Sequence, residues 1–113
     1  MSELVTNKIL GERHMIEIIV FLHMFGPRSR TEIYNTISTS PRMSRKLDYL
    51  EERGIIKSVI SDNTKRVLLK LTPLGNSYAN AMIQLEEKSG GDLERYRLDT
   101  VKDLIPQYGG LLD

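Results

Sequence analysis

Apolar and polar positions recur along this chain with two different periods, and the changes of period mark its elements. From Glu12 to Phe25 the apolar residues crowd more than one helical face. Ile16, Ile19, Val20 and His23 lie along one stripe, and Met15, Ile18, Leu22 and Phe25 lie along another. A helix apolar on two sides is usually buried on two sides. In so short a chain, one side is expected to meet its own core and the other a second subunit. Phe25-Gly26-Pro27 ends this helix. Ahead of it, residues 2–10 predict a short helix with Ser2 as cap and Gly11 as the break.

Ser29-Arg30-Thr31-Glu32 fits a capping box. The serine hydroxyl accepts from the backbone of residue 32, and the glutamate reaches back to residue 29. A second helix should then run to about Ser38, burying Ile33 and Ile37 and partly covering Tyr34. Thr39 and Ser40 make the turn. Ser40 is the expected cap of a third helix, and Pro41 its first residue, where a missing N–H costs nothing. Met43, Leu47 and Leu50 recur at i, i+4 and i+7, a buried stripe, and Gly54 supplies a left-handed exit.

The period then falls to two. Ile55–Ser61 and Lys65–Leu71 read as strands of a hairpin around Asp62-Asn63-Thr64. Val67, Leu69 and Leu71 should share an apolar face, with Arg66, Leu68 and Lys70 on the other. Asn63 suits a turn because it tolerates positive φ. The helical period returns with Thr72 as cap and Pro73 as first residue, and Leu74, Tyr78, Ala81, Met82 and Leu85 form its stripe. Gly90-Gly91 breaks the chain. Asp92 can cap a last helix to about Ile105, with Leu98, Val101 and Ile105 on one side, before Pro106 and Gly109-Gly110. There is no internal repeat.

A length of 113 residues suits one domain with one modest core. The absence of cysteine excludes disulfides and thiolate metal ligands. The N-terminal residues do not read as a signal peptide, and the longest apolar stretch, Ile18–Phe25, is too short to span a bilayer. A cytoplasmic, nucleoid-associated protein with no membrane contact is expected. The net charge of +1 conceals an uneven distribution. Residues 26–46 carry Arg28, Arg30, Arg42, Arg45 and Lys46 against Glu32, and residues 57–70 carry Lys57, Lys65, Arg66 and Lys70 against Asp62. The stretch from residue 86 onward is acidic. Basic segments attract phosphate, and an acidic tail avoids it.

That distribution gives the third helix its candidate chemistry. With Met43, Leu47 and Leu50 buried, its first turns expose Arg42, Ser44, Arg45 and Lys46. Arginine can bond guanine O6 and N7 together, and serine can reach bases or phosphate. Asp48, Glu51 and Glu52 occupy the second half, which phosphate would repel, so the N-terminal end should enter the DNA major groove. Asn63, Lys65 and Arg66 at the hairpin tip, Ser40 in the turn, and Arg28, Arg30 and Thr31 at the start of the second helix are the candidate backbone contacts.

Nothing comparable points to catalysis. His14 and His23 are the only histidines, and nine residues at 100° each would set them on opposite sides of one straight helix. No Ser-His-Asp arrangement, glycine-rich phosphate loop or HExxH spacing is present. A non-enzyme without metal or cofactor is expected. Tyr96 and Tyr108, with Leu93 and Leu98, could line a cavity near a dimer seam, but packing is the commoner role for tyrosine, and no effector is assigned.

Met43-Ser44-Arg45-Lys46-Leu47, Leu50-Glu51-Glu52-Arg53-Gly54-Ile55-Ile56, Arg66 and Leu71-Thr72-Pro73-Leu74-Gly75 carry a resemblance to known proteins. Over about residues 12–88 the chain resembles winged helix-turn-helix transcriptional regulators of the MarR, PadR and HxlR type, including small archaeal and archaeal-virus members. The resemblance implies a dimeric DNA-binding repressor or activator, with Arg42, Ser44 and Arg45 near bases and Arg66 near the backbone. It departs in the flanks, where the last helix is short and no cysteine sensor exists.

The expected fold is therefore α+β and mostly helical, a winged helix-turn-helix with extra N- and C-terminal helices. Residues 1–88 would form the DNA-binding domain, and 92–105 a dimerisation helix. The expected partners are double-stranded DNA and a second copy, joined through helices 12–25 and 92–105. Two other readings share the pattern. One is an architectural nucleoid protein that coats DNA. The other is a winged helix used for protein contacts, which would have little use for three cations at residues 42–46.

Overall fold

The computed structural model describes residues 3–104. The expectations for Ser2, Ile105, Pro106, Tyr108 and Gly109-Gly110 lie outside those residues. The elements in chain order are α1 (Val5–Gly11), α2 (Met15–Phe25), α3 (Arg30–Thr36), α4 (Met43–Glu52), β1 (Ile56–Ile60), β2 (Val67–Leu71), α5 (Pro73–Lys88) and α6 (Leu93–Leu104). The fold is α+β and mostly helical: a helix-turn-helix, then a hairpin wing, with further helices before and after.

The core forms where three patterns converge. Met15, Ile18, Ile19, Phe21 and Leu22 of α2 meet Ile33 of α3, the Met43–Leu47–Leu50 stripe of α4, and Leu69 and Leu71 of β2. Leu47 and Leu50 are fully buried, so truncating either to alanine would cost roughly 2–5 kcal/mol in lost burial and residual cavity. α2 is shorter than its apolar run. His14 takes a left-handed conformation, φ 71°, so Glu12, Arg13 and His14 form a turn between α1 and α2. α1, α5 and β2 cover most of both apolar sides of α2, leaving Ile16 half-buried and His23 exposed.

β1 and β2 pair antiparallel with Ile56 opposite Leu71 and Ile60 opposite Val67. A single bridge from Arg28 to Leu69 adds a third rung, with Arg28 N–H donating to Leu69 O at 3.0 Å and Leu69 N–H to Arg28 O at 2.8 Å. The alternation holds for Leu69 and Leu71, which are buried. Val67 is 59% exposed and faces Ile60, 66% exposed, because the hairpin projects past the body that would cover them. The positive φ of the tip falls on Lys65, at 57°, and not on Asn63.

Thr72 anchors α5. Its Oγ1 accepts from Gly75 N–H at 3.1 Å and donates to the carbonyls of Gly54 and Ile55, while its own N–H reaches Ile55 O at 3.0 Å. A Cβ on Gly75 would collide with that Ile55 carbonyl oxygen, so glycine is required for the close approach. This anchor sets the rotation of α5 and fully buries Gly75 and Ala79; of the expected stripe, Tyr78 packs against the core and Met82 is half-buried. Leu74 and Leu85 are about half exposed and Ala81 is exposed. On α6, Asp92 caps as expected, its Oδ1 accepting from Arg95 N–H at 2.9 Å. The buried side carries Thr100 and Leu104, and Leu98 points outward. Half-buried Tyr96 is pushed up to about 12 by burial first and then by the nearby Glu17.

Candidate nucleic-acid interface

The turn before α4 is built from hydroxyls. Ser40 N–H donates to Ser38 Oγ at 3.1 Å, and Arg42 N–H donates to Ser40 Oγ at 3.3 Å. Met43 N–H closes a tighter turn onto Ser40 O at 3.0 Å. Ser40 therefore caps a turn, with Pro41 and Arg42 in it, and α4 itself begins at Met43. That is two residues later than the proline signal predicts.

Complete burial of Met43, Leu47 and Leu50 fixes which side of α4 faces outward. Arg42, Ser44 and Arg45 are exposed. Neither arginine forms an ion pair among the described residues, so both guanidinium groups are available to a ligand. Lys46 differs from them. Its Nζ donates to Arg13 O at 2.6 Å, which ties α4 to the α1–α2 turn. The sequence placed Lys46 among the base readers; the structure gives its ammonium a carbonyl of its own chain.

The basic residues beside α3 are engaged as well. Glu32, 6% exposed, completes the capping box: Ser29 N–H donates to its Oε1 at 3.1 Å, and its own N–H donates to Ser29 Oγ at 3.2 Å. Arg28 places Nη1 at 3.3 Å from Glu32 Oε2 and donates through Nη2 to Phe25 O at 2.9 Å. Arg66 reaches back from the wing, with Nη2 at 3.1 Å from Ser29 Oγ and 3.9 Å from Glu32 Oε1. A buried carboxylate is tolerated when cations and hydrogen bonds satisfy it, and here they do. Arg30 lies 2.9 Å from Asp48 and 3.9 Å from Glu51 on the acidic half of α4. Arg28, Arg30 and Arg66, expected as backbone contacts, each lie against a carboxylate of their own chain. Thr31, Asn63 and Lys65 remain exposed at the surface, and Ser40 is half-buried in the turn.

Sequence reasoning missed the other side of α4. A cleft of about 540 Å³ lies between the α1–α2 turn and α4, with Lys8, Arg13, Arg42, Arg45, Lys46 and Tyr49 among its walls. Lys8 Nζ stands 4.5 Å from the centre of the Tyr49 ring. The polar gap Gly11-Glu12-Arg13-His14 between two apolar runs was the available signal that Arg13 leaves the helix. A smaller cleft of about 170 Å³ between α2, α5 and α6 includes Leu93 and Tyr96, but not Leu98. No group of His, Cys, Asp and Glu among the described residues could hold a metal ion, and no helix there is long and apolar enough to cross a membrane.

No protein-family model and no curated protein matches the chain. Among solved structures, a mutant of Lactococcus lactis ZitR is similar, with 24% identity and a TM-score of 0.59, over 86% of this chain and 69% of that one. The likeness is one of fold, and the fold is a winged helix.

Proposed function

We propose that this chain binds double-stranded DNA in a sequence-selective manner and regulates transcription as a homodimer, without enzymatic activity. One observation carries the reading. The N-terminal end of α4 presents Arg42, Ser44 and Arg45 outward, unpaired among the described residues, on a helix whose opposite stripe is fully buried. A helix held this way can lay its first turns along the major groove while its acidic second half stays clear. Ser44 and Arg45 read base edges, with Arg42 beside them, and Thr31, Ser40, Asn63 and Lys65 face the backbone. The winged-helix frame supports the reading, since it sets one helix outward beside a hairpin.

Residues 1–88 act as the DNA-binding unit, and the helix from residue 92 belongs to the dimer seam. Apolar side chains left uncovered in one chain favour self-association. Leu74, Ala81 and Leu85 are exposed on α5, and Leu98 is exposed on α6. Two copies would present two α4 tips to half-sites about 34 Å apart.

Selection of bound sequences from a random duplex pool, repeated at two salt concentrations, tests the function. A sharp palindrome is expected. Equal recovery of all sequences would mark a DNA-coating protein instead. Sedimentation at micromolar concentration tests the dimer, and a strictly monomeric species would contradict it.

A further inference from the structure

We infer that the hollow between the α1–α2 turn and the start of α4 is a seat for a DNA backbone phosphate, with Arg13 as its principal contact. The inference rests on the DNA-binding reading and names a partner site within it. The hollow, about 390 Å³, is lined by Arg13, His14, Ser38, Ser40, Arg42 and Lys46. It adjoins the larger cleft that adds Lys8 and Arg45, and Arg13, Arg42 and Lys46 border both.

Three features suit this trough to a phosphodiester. The first is charge. Lys8, Arg13, Arg42, Arg45 and Lys46 meet a single carboxylate there, Glu12, which already lies 3.8 Å from Lys8. Neither Arg13 nor Arg42 has an ion-pair partner among the described residues. The second is hydrogen-bond polarity. The oxygens of Ser38 and Ser40 already accept from backbone N–H groups, so each hydroxyl retains its own hydrogen to donate. Guanidinium groups and donating hydroxyls together match phosphate oxygens. The third is rigidity. Lys46 clamps the Arg13 carbonyl, and left-handed His14 fixes the bend, so the Arg13 side chain departs from a held turn.

The opposite side of α4 supplies the contrast. Asp48, Glu51 and Glu52 line a shallow depression there, which repels phosphate. A DNA strand lying along α4 therefore runs on the α1 side. In that pose Arg42 serves the backbone together with Arg13, and base reading falls to Ser44 and Arg45.

The test is equilibrium binding of the full chain to duplex DNA across a salt series, with thermal unfolding of each variant as control. Arg13→Ala should weaken binding several-fold on every duplex and flatten the log–log salt slope by about 0.9, one phosphate's worth of released counterion. Arg13→Lys should keep the wild-type slope. If Arg13→Ala fails to fold, Arg13→Gln repeats the measurement with the side chain's length retained. A wild type that binds while a folded Arg13→Ala or Arg13→Gln shares its slope overturns the seat and leaves the DNA-binding reading intact. A wild type that binds no duplex even at low salt overturns both.

Discussion

The two sides of α4 carry similar numbers of basic residues and use them in opposite ways. Toward α3 and the wing, Arg28, Arg30 and Arg66 lie against Glu32, Asp48 and Glu51, within 2.9–3.9 Å. Toward α1, Arg13, Arg42 and Arg45 border open clefts and form no ion pair among the described residues. A cation near a candidate site is available to a ligand only if its own chain leaves it unneutralised. Glu32 makes the difference. Sitting at the start of α3 and almost fully buried, it draws in one arginine from the same helix start and another from the wing.

The largest expected effect breaks the engaged side. Glu32→Ala keeps the Ser29 cap but removes the carboxylate half of the capping box and takes that carboxylate from Arg28 and Arg66. The cations left behind are partly exposed, so the cost is that of lost charge-assisted hydrogen bonds, roughly 1.5–3 kcal/mol. Urea unfolding should show a midpoint far below that of the wild type, and an unchanged midpoint would mean Glu32 is no hub. Next comes the open side. Arg45→Ala should cost roughly 1–3 kcal/mol on the best duplex and relax the base preference beneath it, with no change in unfolding. Competition among duplexes differing at single positions would reveal it; uniform loss on all of them would return Arg45 to the backbone.

The wing sharpens the contrast further. Lys65 has no ion pair among the described residues, and Arg66 does. Lys65→Ala should weaken all sequences alike and flatten the salt slope by about one, whereas Arg66→Ala should leave the slope unchanged and lower stability slightly. Reversed slopes would show Arg66 leaving Ser29 and Glu32 for DNA. The smallest effect is on the surface pair. Arg30→Ala should shift unfolding by about 0.5 kcal/mol or less, since exposed ion pairs contribute little.

The fold was largely legible in the sequence because its punctuation is local. The Ser29–Glu32 box, Gly54 at φ 73°, the Thr72-Pro73 start and the Asp92 cap each depend on residues a few positions apart. Periodicity also identified the α4 stripe. It held only in part on α5, where Tyr78 packs against the core but Gly75 and Ala79 are buried while Leu74, Ala81 and Leu85 are exposed, because a tertiary contact at Ile55 sets the rotation. It failed at Val67, because alternation does not reveal where a hairpin outruns its support. At the candidate site, the exposure of Arg42, Ser44 and Arg45 was legible from one helix alone. The engagement of Arg30 by Asp48 and of Arg66 by Ser29 spans 18 and 37 residues, and no local pattern announces such pairs. Arg13 stayed hidden for the same reason, being placed beside α4 only by the α1–α2 turn.

The most direct measurement is the gap in affinity between a selected duplex and a random one, taken for three proteins: the wild type, Arg42→Ala with Arg45→Ala, and Arg30→Ala with Arg66→Ala. Loss of the gap in the first double variant and its retention in the second is the predicted result. A gap that survives without Arg42 and Arg45, or vanishes without Arg30 and Arg66, would contradict the division of α4 into an open and an engaged side.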